Sequence, residues 1–269
     1  STPDAKPSPA AACTDEDGDS DTPPDDAGPP DGSIRLGPPA EQLQNPDARI
    51  IFKSRASHDL LLNKAGSWQG IKTSDDPRFT QYHWERVGVR DGWHRYQRAP
   101  ERGGDFTGRM EIIFWEDGYG RLTEVCQDGA SFRGQSAWGR EGIAVHTMAG
   151  LMATRYTGEI FSADVSIIDP PDQADVPALW AFCKSELFGR EVRKVDSALR
   201  VTNTALVKVP FDFDHWQKLA AEEYPDGLPE PQSDDPTQWL FHGRPDRAES
   251  HAALQVGVAR LVGYRWPAE

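Results

Sequence analysis

Apolar and polar positions change rhythm as the chain proceeds. From Asn45 to about residue 168, short apolar bursts alternate with glycine, proline and charged residues, and that pattern predicts strands. The candidates are Ala48–Phe52, Arg78–Val87, Arg109–Glu116, Gly142–Met148, Thr154–Ile160 and Val165–Ile168. Arg109–Glu116 has the short, β-rich make-up of a buried strand. Asp59–Leu62 starts a short helix or turn, and glycines at 103–104, 118–120 and 129–134 mark turns. From Asp175 the period lengthens. Val176, Leu179, Trp180, Cys183, Leu187, Phe188, Val192 and Val195 recur at helical spacing, so one helix is predicted over about 176–195. Asp175 is its expected cap, with Pro177 near its first turn. Leu199–Val209 reads as a strand ending at Pro210. Asp214 is the expected cap of a helix through Glu223, and a last helix covers 250–262, before Gly263.

The fold class expected from this order is α+β: a mixed or antiparallel, β-rich body with packed helices toward the C-terminus. Residues 1–40 are different. They hold nine of the 22 prolines and nine acids, with almost no large apolar side chain, so they read as a disordered acidic tail. The expected division is a tail at 1–40, a β-rich domain with one central helix at 41–210, and a helical extension at 211–269.

Charge adds to that division. The net charge is −14, but residues 1–40 and 211–250 each carry −7, which leaves the rest neutral. Inside the neutral part, 78–109 has seven arginines against four acids. Nucleic-acid contact depends on local potential, so a neutral domain whose arginines share a face remains compatible with DNA. The same arginines are equally compatible with pairing to neighbouring acids on a solvated surface. No run of about 18 apolar residues is present to span a bilayer. No charged-then-apolar leader opens the sequence. A cytoplasmic location without membrane contact is expected. The chain begins at Ser1 rather than Met, so it is expected to be a piece of a longer protein.

Candidate chemistry is sparse. Cys13, Cys126 and Cys183 match no zinc or disulfide spacing, and the seven histidines show no ligand pattern. No P-loop or Gly-x-Ser-x-Gly occurs. Asp169-Pro170-Pro171-Asp172 is close to the Asn/Asp-Pro-Pro-aromatic motif of amino-methylating DNA methyltransferases, but Asp172 cannot stack on a flipped base, and a strand-to-helix turn is the expected role. Gly103-Gly104 and Gly118-Tyr119-Gly120 are expected between strands rather than in a loop that could bind S-adenosylmethionine.

The run Trp68-Gln69-Gly70-Ile71-Lys72-Thr73-Ser74-Asp75-Asp76-Pro77-Arg78-Phe79, with Tyr82-His83-Trp84-Glu85, resembles a segment of large Eco57I-like DNA adenine methyltransferases. These are class I enzymes of restriction-modification and phage-defence systems, and the segment follows their catalytic half. Ser74 stands where that pattern has glycine. Gly108-Arg109 with Phe114-Trp115-Glu116, Gly134–Val145, Tyr156–Phe161, Pro177–Cys183, Lys208–Asp212 and Gly263–Pro267 follow in the same order. The resemblance covers about residues 40–269. It implies the C-terminal target-recognition part of a site-specific N6-adenine methyltransferase, which selects the DNA sequence. The S-adenosylmethionine site and catalytic motifs would belong to a missing half, leaving this chain without cofactor and inactive alone. Implied partners are double-stranded DNA, that catalytic half and other defence-system subunits.

A recognition surface needs side chains that donate and accept in fixed pairs at base edges, together with phosphate contacts. Arg78, Arg86, Arg109, Arg133, Gln135, Arg155 and Asn203 are the right types in motif-rich positions. Lys72 and Thr73 sit in the Gly70 loop, where backbone N–H groups could hold a phosphate. Trp68 and Trp138 flank glycine loops. Arg78→Ala and Arg109→Ala are expected to weaken DNA binding without unfolding. Two other readings stay open: an enzyme using Asp169-Pro170-Pro171 or the Asp75/Asp76 pair, and an interaction subunit without DNA contact.

Overall fold

A computed structural model describes residues 59–85, 91–100, 104–124, 130–148, 150–229, 250 and 253–261. The expected tail and the Ala48–Phe52 strand lie outside the described residues. The strands are Gly66–Gln69 (β1), Thr80–Tyr82 (β2), Trp93–Gln97 (β3), Glu111–Phe114 (β4), Gly142–His146 (β5), Ala153–Tyr156 (β6), Ile160–Phe161 (β7) and Val165–Asp169 (β8). The helices are Asp76–Phe79 (α1), Arg121–Glu124 (α2), Val176–Cys183 (α3), Glu186–Val195 (α4), Asn203–Val207 (α5), Phe213–Glu223 (α6) and Ala253–Leu261 (α7). The fold is α+β.

One sheet has the order β1-β8-β5-β6, antiparallel throughout. The other runs β2-β4-β3-β7, antiparallel except for the parallel β3–β7 pair. Side chains alternate across a strand, and the first sheet uses both faces. Ile143, Val145 and Ile168 point into a core shared with Leu179, Phe182, Phe188, Phe211 and Trp216 of the helical layer. Ala144, Ile167 and Val165 point the other way, toward Tyr156, Phe161 and Ala137. This is why apolar residues of Val165–Ile168 fall on both faces: β8 is buried on both sides, Ser166 included. The second sheet builds its own core from Tyr96, Ile113, Trp115, Phe132, Phe79 and Ile71.

Several expectations are corrected. The helix expected over 176–195 is two. Ser185 takes extended backbone, its hydroxyl bonds the Phe182 carbonyl, and its Oγ accepts from Phe188 N–H, so a new helix begins there. The apolar stripe stays in phase across the break, which hides it. Leu199–Val209 is not a strand. It makes an isolated bridge at Arg200–Met148, then helix α5, then a bridge from Pro210 to Leu60. Ala205, Leu206 and Val207 are all buried, and a short run buried all round has no readable period. Arg78–Val87 divides into the end of α1, opened by Pro77, then β2 and a 3₁₀ turn at His83–Glu85; its last residues lie outside the described set. Asp212, not Asp214, caps α6 by accepting from His215 N–H at 3.1 Å. Phe211, Trp216 and Ala220 belong to the helical core, so the boundary expected at 210 falls inside a packed cluster. Strands β1 and β3 were not anticipated.

Candidate nucleic-acid interface

Two distant stretches meet at the end of β1. Ile71 N–H bonds the Phe161 carbonyl at 2.7 Å, and the Ala163 N–H returns to the Ile71 carbonyl at 2.8 Å. Lys72 and Ser131 then exchange a reciprocal pair of backbone bonds, each 2.9 Å. Arg133 Nη1 donates to Gln69 Oε1 at 3.0 Å. Gly134, at φ +86°, brings its backbone against the Gln69 carbonyl and the Phe161 ring, where a side chain has no room. Residues 68–72 and 131–135 thus form one platform whose backbone is fixed by its own pairing. Lys72 and Gln135 are exposed on it and Arg133 is half-buried. Gln135 Nε2 donates to the Phe132 carbonyl at 3.2 Å, which leaves its amide oxygen as an acceptor. Gln69 was missed in the sequence; only its place beside Gly70 hinted at it.

The other nominated residues take different places. Gly70 is buried, and a Cβ there would meet the Phe161 and Ser162 carbonyl oxygens, so its role is close backbone approach rather than phosphate holding. Thr73 is buried as well. Its hydroxyl bonds the Asp76 carboxylate and accepts from Asp75 N–H at 3.3 Å, which removes it from any phosphate site. Ser74 holds φ +62°, the left-handed region that favours glycine, so the substitution for glycine keeps the turn at a cost. Trp68 is 37% exposed and donates Nε1 to Asp169 Oδ1 at 2.5 Å. Arg78 is exposed beside the Phe79 ring. Arg86 lies outside the described residues.

Three nominees turn inward. Arg109 is fully buried and bonds Glu159 Oε1 at 2.6 Å, Thr157 Oγ1 at 2.9 Å and the Arg155 carbonyl at 2.5 Å. Burial pulls its guanidinium below the ordinary value, opposed by the Glu159 charge. Arg155 is 5% exposed, lies over the Phe106 ring and donates to the Pro229 carbonyl at 2.6 Å. Asn203 opens α5 and donates to the Ser67 carbonyl at 3.1 Å. None of the three presents its polar head to a groove, so all are corrected from contact to framework. Trp138 is half-buried, edge-on to Trp115 with ring centroids 5.6 Å apart. Its indole N–H is shut from solvent without an acceptor, an arrangement costing about 1–3 kcal/mol when nothing fills it.

A polar hub supports the platform from below. Arg98 bonds Asp76 at 2.9 Å and lies 3.5 Å from Asp164 and 3.7 Å from Glu111. Burial alone would pull Arg98 down, but Tyr96, Glu111, Asp76 and Asp164 together hold it above its ordinary value. It ties the loop after Thr73 to both sheets, and nothing in the spacing of Arg98 marked it out.

The catalytic alternatives meet internal partners. Asp169 accepts from Trp68 and, at 2.6 Å, from Arg140 Nε, while Arg140 also bonds the Pro170 carbonyl. The acceptors an exocyclic amine would need are engaged by the chain itself, and Asp172 caps the following turn through Ala174 N–H. The Gly118–Gly120 turn does not fit S-adenosylmethionine. Gly118 and Gly120 lead into α2, a single helical turn rather than the junction between strands expected for them. The Glu116 carboxylate already occupies that turn's N-terminus, accepting from Arg121 N–H at 2.7 Å. Among the described residues no group of His, Cys, Asp and Glu is placed to hold a metal, and no helix is long and apolar enough to cross a membrane.

No family model and no curated protein matches the sequence.

Proposed function

We propose that this chain is the DNA target-recognition region of a site-specific N6-adenine methyltransferase of a restriction-modification or phage-defence system. In this reading it contacts duplex DNA, and S-adenosylmethionine and methyl transfer belong to a catalytic half outside this chain. The observation that carries the reading is the platform: Gln69, Lys72, Arg133 and Gln135, two cations and two amides, come from segments some sixty residues apart onto one rigid backbone. Amides and guanidinium groups are the side chains that read base edges in pairs, and lysine neutralises phosphate. Trp68 and Arg78 flank this set as exposed side chains of the same motif.

The test is duplex binding across a salt series. Affinity falls with rising salt, and Lys72→Ala lowers the slope of log affinity against log salt by about 0.9 if it removes one phosphate contact. Arg133→Ala relaxes discrimination among duplex sequences by about 1–3 kcal/mol. Binding that is absent, or indifferent to both substitutions, removes the proposal.

A second reading, an interaction subunit without DNA contact, has one observation in its favour. Leu254, Val258 and Leu261 of α7 are exposed at helical spacing. In that case the salt series shows no duplex binding at all.

A further inference from the structure

The loop joining α4 to α5 is tied down along its length, yet it carries an apolar side chain into solvent. The two oxygens of the Asp196 carboxylate accept from the Ala198 N–H at 2.9 Å and the Thr202 N–H at 3.1 Å, so one side chain holds both ends. Arg193 donates to the Ala198 carbonyl, and Val201 N–H bonds the Thr147 carbonyl at 2.8 Å. Within this frame Leu199 is 73% exposed. A single exposed leucine is ordinary on a protein surface. Here the backbone on both sides is fixed, which keeps the side chain from folding back onto the core. The loop is also tied to the platform. Arg200 donates Nη2 to the Ala163 carbonyl at 2.5 Å, and Ala163 gives its own N–H to the Ile71 carbonyl at 2.8 Å, one residue before Lys72. Arg200 is exposed, and its Nε and Nη1 carry no hydrogen bond among the described residues. Residues 190–200 hold four cations against two acids, which suits a polyanion.

Resting on the duplex reading above, we propose that Leu199 is a wedge that enters between two stacked base pairs, and that Arg200 holds the phosphate beside it. Leucine is among the apolar side chains that proteins insert between base steps from the minor groove. Minor and major grooves alternate along one face of a duplex. A platform reading base edges in the major groove therefore has a minor groove half a helical turn away. A wedge must be stiff, because a mobile side chain folds aside instead of separating the bases, and the Asp196 bonds supply that stiffness. Insertion costs the unstacking of one base step. That cost is smallest where a mismatch has already weakened the step.

The experiment is a fluorescence-anisotropy titration of the full chain with two labelled duplexes of about 30 base pairs, identical except for one central T·T mismatch. The mismatched duplex should bind about tenfold more tightly. Leu199→Ala, a change at an exposed site that leaves the fold intact, should bring the two affinities to within about twofold of each other. Arg200→Ala should lower the slope of log affinity against log salt by about 0.9 on both duplexes. Equal affinity of the parent for the two duplexes, a preference that survives Leu199→Ala, or an unchanged slope in Arg200→Ala overturns the proposal. Lys72→Ala and Arg133→Ala separate it from the platform reading, since they should weaken both duplexes alike and leave their ratio unchanged. Binding that answers to those two substitutions without a mismatch preference removes the wedge and keeps the platform. A preference lost with Leu199 in a chain indifferent to both removes the platform and keeps the wedge.

Discussion

Arg109 and Arg133 belong to two regions that use one side-chain type for opposite ends. Beneath the start of β4, Arg109 is fully buried, its charge met by Glu159 and its two terminal nitrogens also bonded to Thr157 and the Arg155 carbonyl. At the end of β1, Arg133 reaches across a surface seam to Gln69. A buried arginine is fixed by partners it cannot give up without leaving a bare charge, whereas a half-buried one keeps water within reach and loses less when a partner is exchanged. Residue type therefore nominates an arginine for recognition, and burial decides whether it is available.

The sharpest test of the contrast is Arg109→Ala. It strands the Glu159 carboxylate, and a loss of about 3–5 kcal/mol in urea unfolding is expected. The same substitution at Arg133 should leave stability within about 0.5 kcal/mol. Residue type alone predicts that Arg109→Ala weakens DNA binding in a folded protein; the buried pair instead predicts unfolding first. If Arg109→Ala is as stable as the parent, the interior region has been misread. Next is Gly70→Ala. The added Cβ meets two carbonyl oxygens across the seam, with an expected cost of about 1–3 kcal/mol and a matching fall in duplex affinity, read by thermal melting and titration together.

Ser74→Gly runs the other way. Relief of the left-handed backbone should stabilise by about 0.5–1 kcal/mol, with DNA binding unchanged. A destabilised variant would show that Ser74 is not strained. The smallest effect is on pH. Burial holds His146 below its ordinary value of 6.5, so the folded state resists its protonation. The stability this gives is present above that value and is lost as pH falls past it. Between about pH 8 and pH 5, His146→Gln should therefore lose less stability than the parent. Equal losses would remove the histidine from the account.

Strands with a clean apolar signature were legible: β4 and β5 lie within the predicted stretches, and β8 outruns its own by Asp169 alone. Strands β1 and β3 were not, because Gly-Ser-Trp-Gln and Trp-His-Arg-Tyr-Gln carry polar residues that interrupt the apolar alternation by which a strand is read. Ser67 gives its carbonyl to Asn203, and Gln97, fully buried, donates its amide to the Arg98 and Thr107 carbonyls. The platform was legible as a motif, through Trp68–Thr73 and Arg133–Gln135. The division of its residues into exposed and structural was not. Thr73 reads as a phosphate ligand and serves Asp76; Gly70 reads as a flexible loop and is a point of tight approach. The first rests on a side-chain bond three positions along and the second on a contact some ninety positions away, and residue type alone reveals neither.

The reciprocal Lys72–Ser131 pairing has an evolutionary consequence. Main-chain bonds are indifferent to what hangs from the Cα, so positions 69, 72, 133 and 135 can be rewritten without moving the scaffold that aims them. A lineage under pressure to address new sites could diversify those few letters while its folding stays untouched.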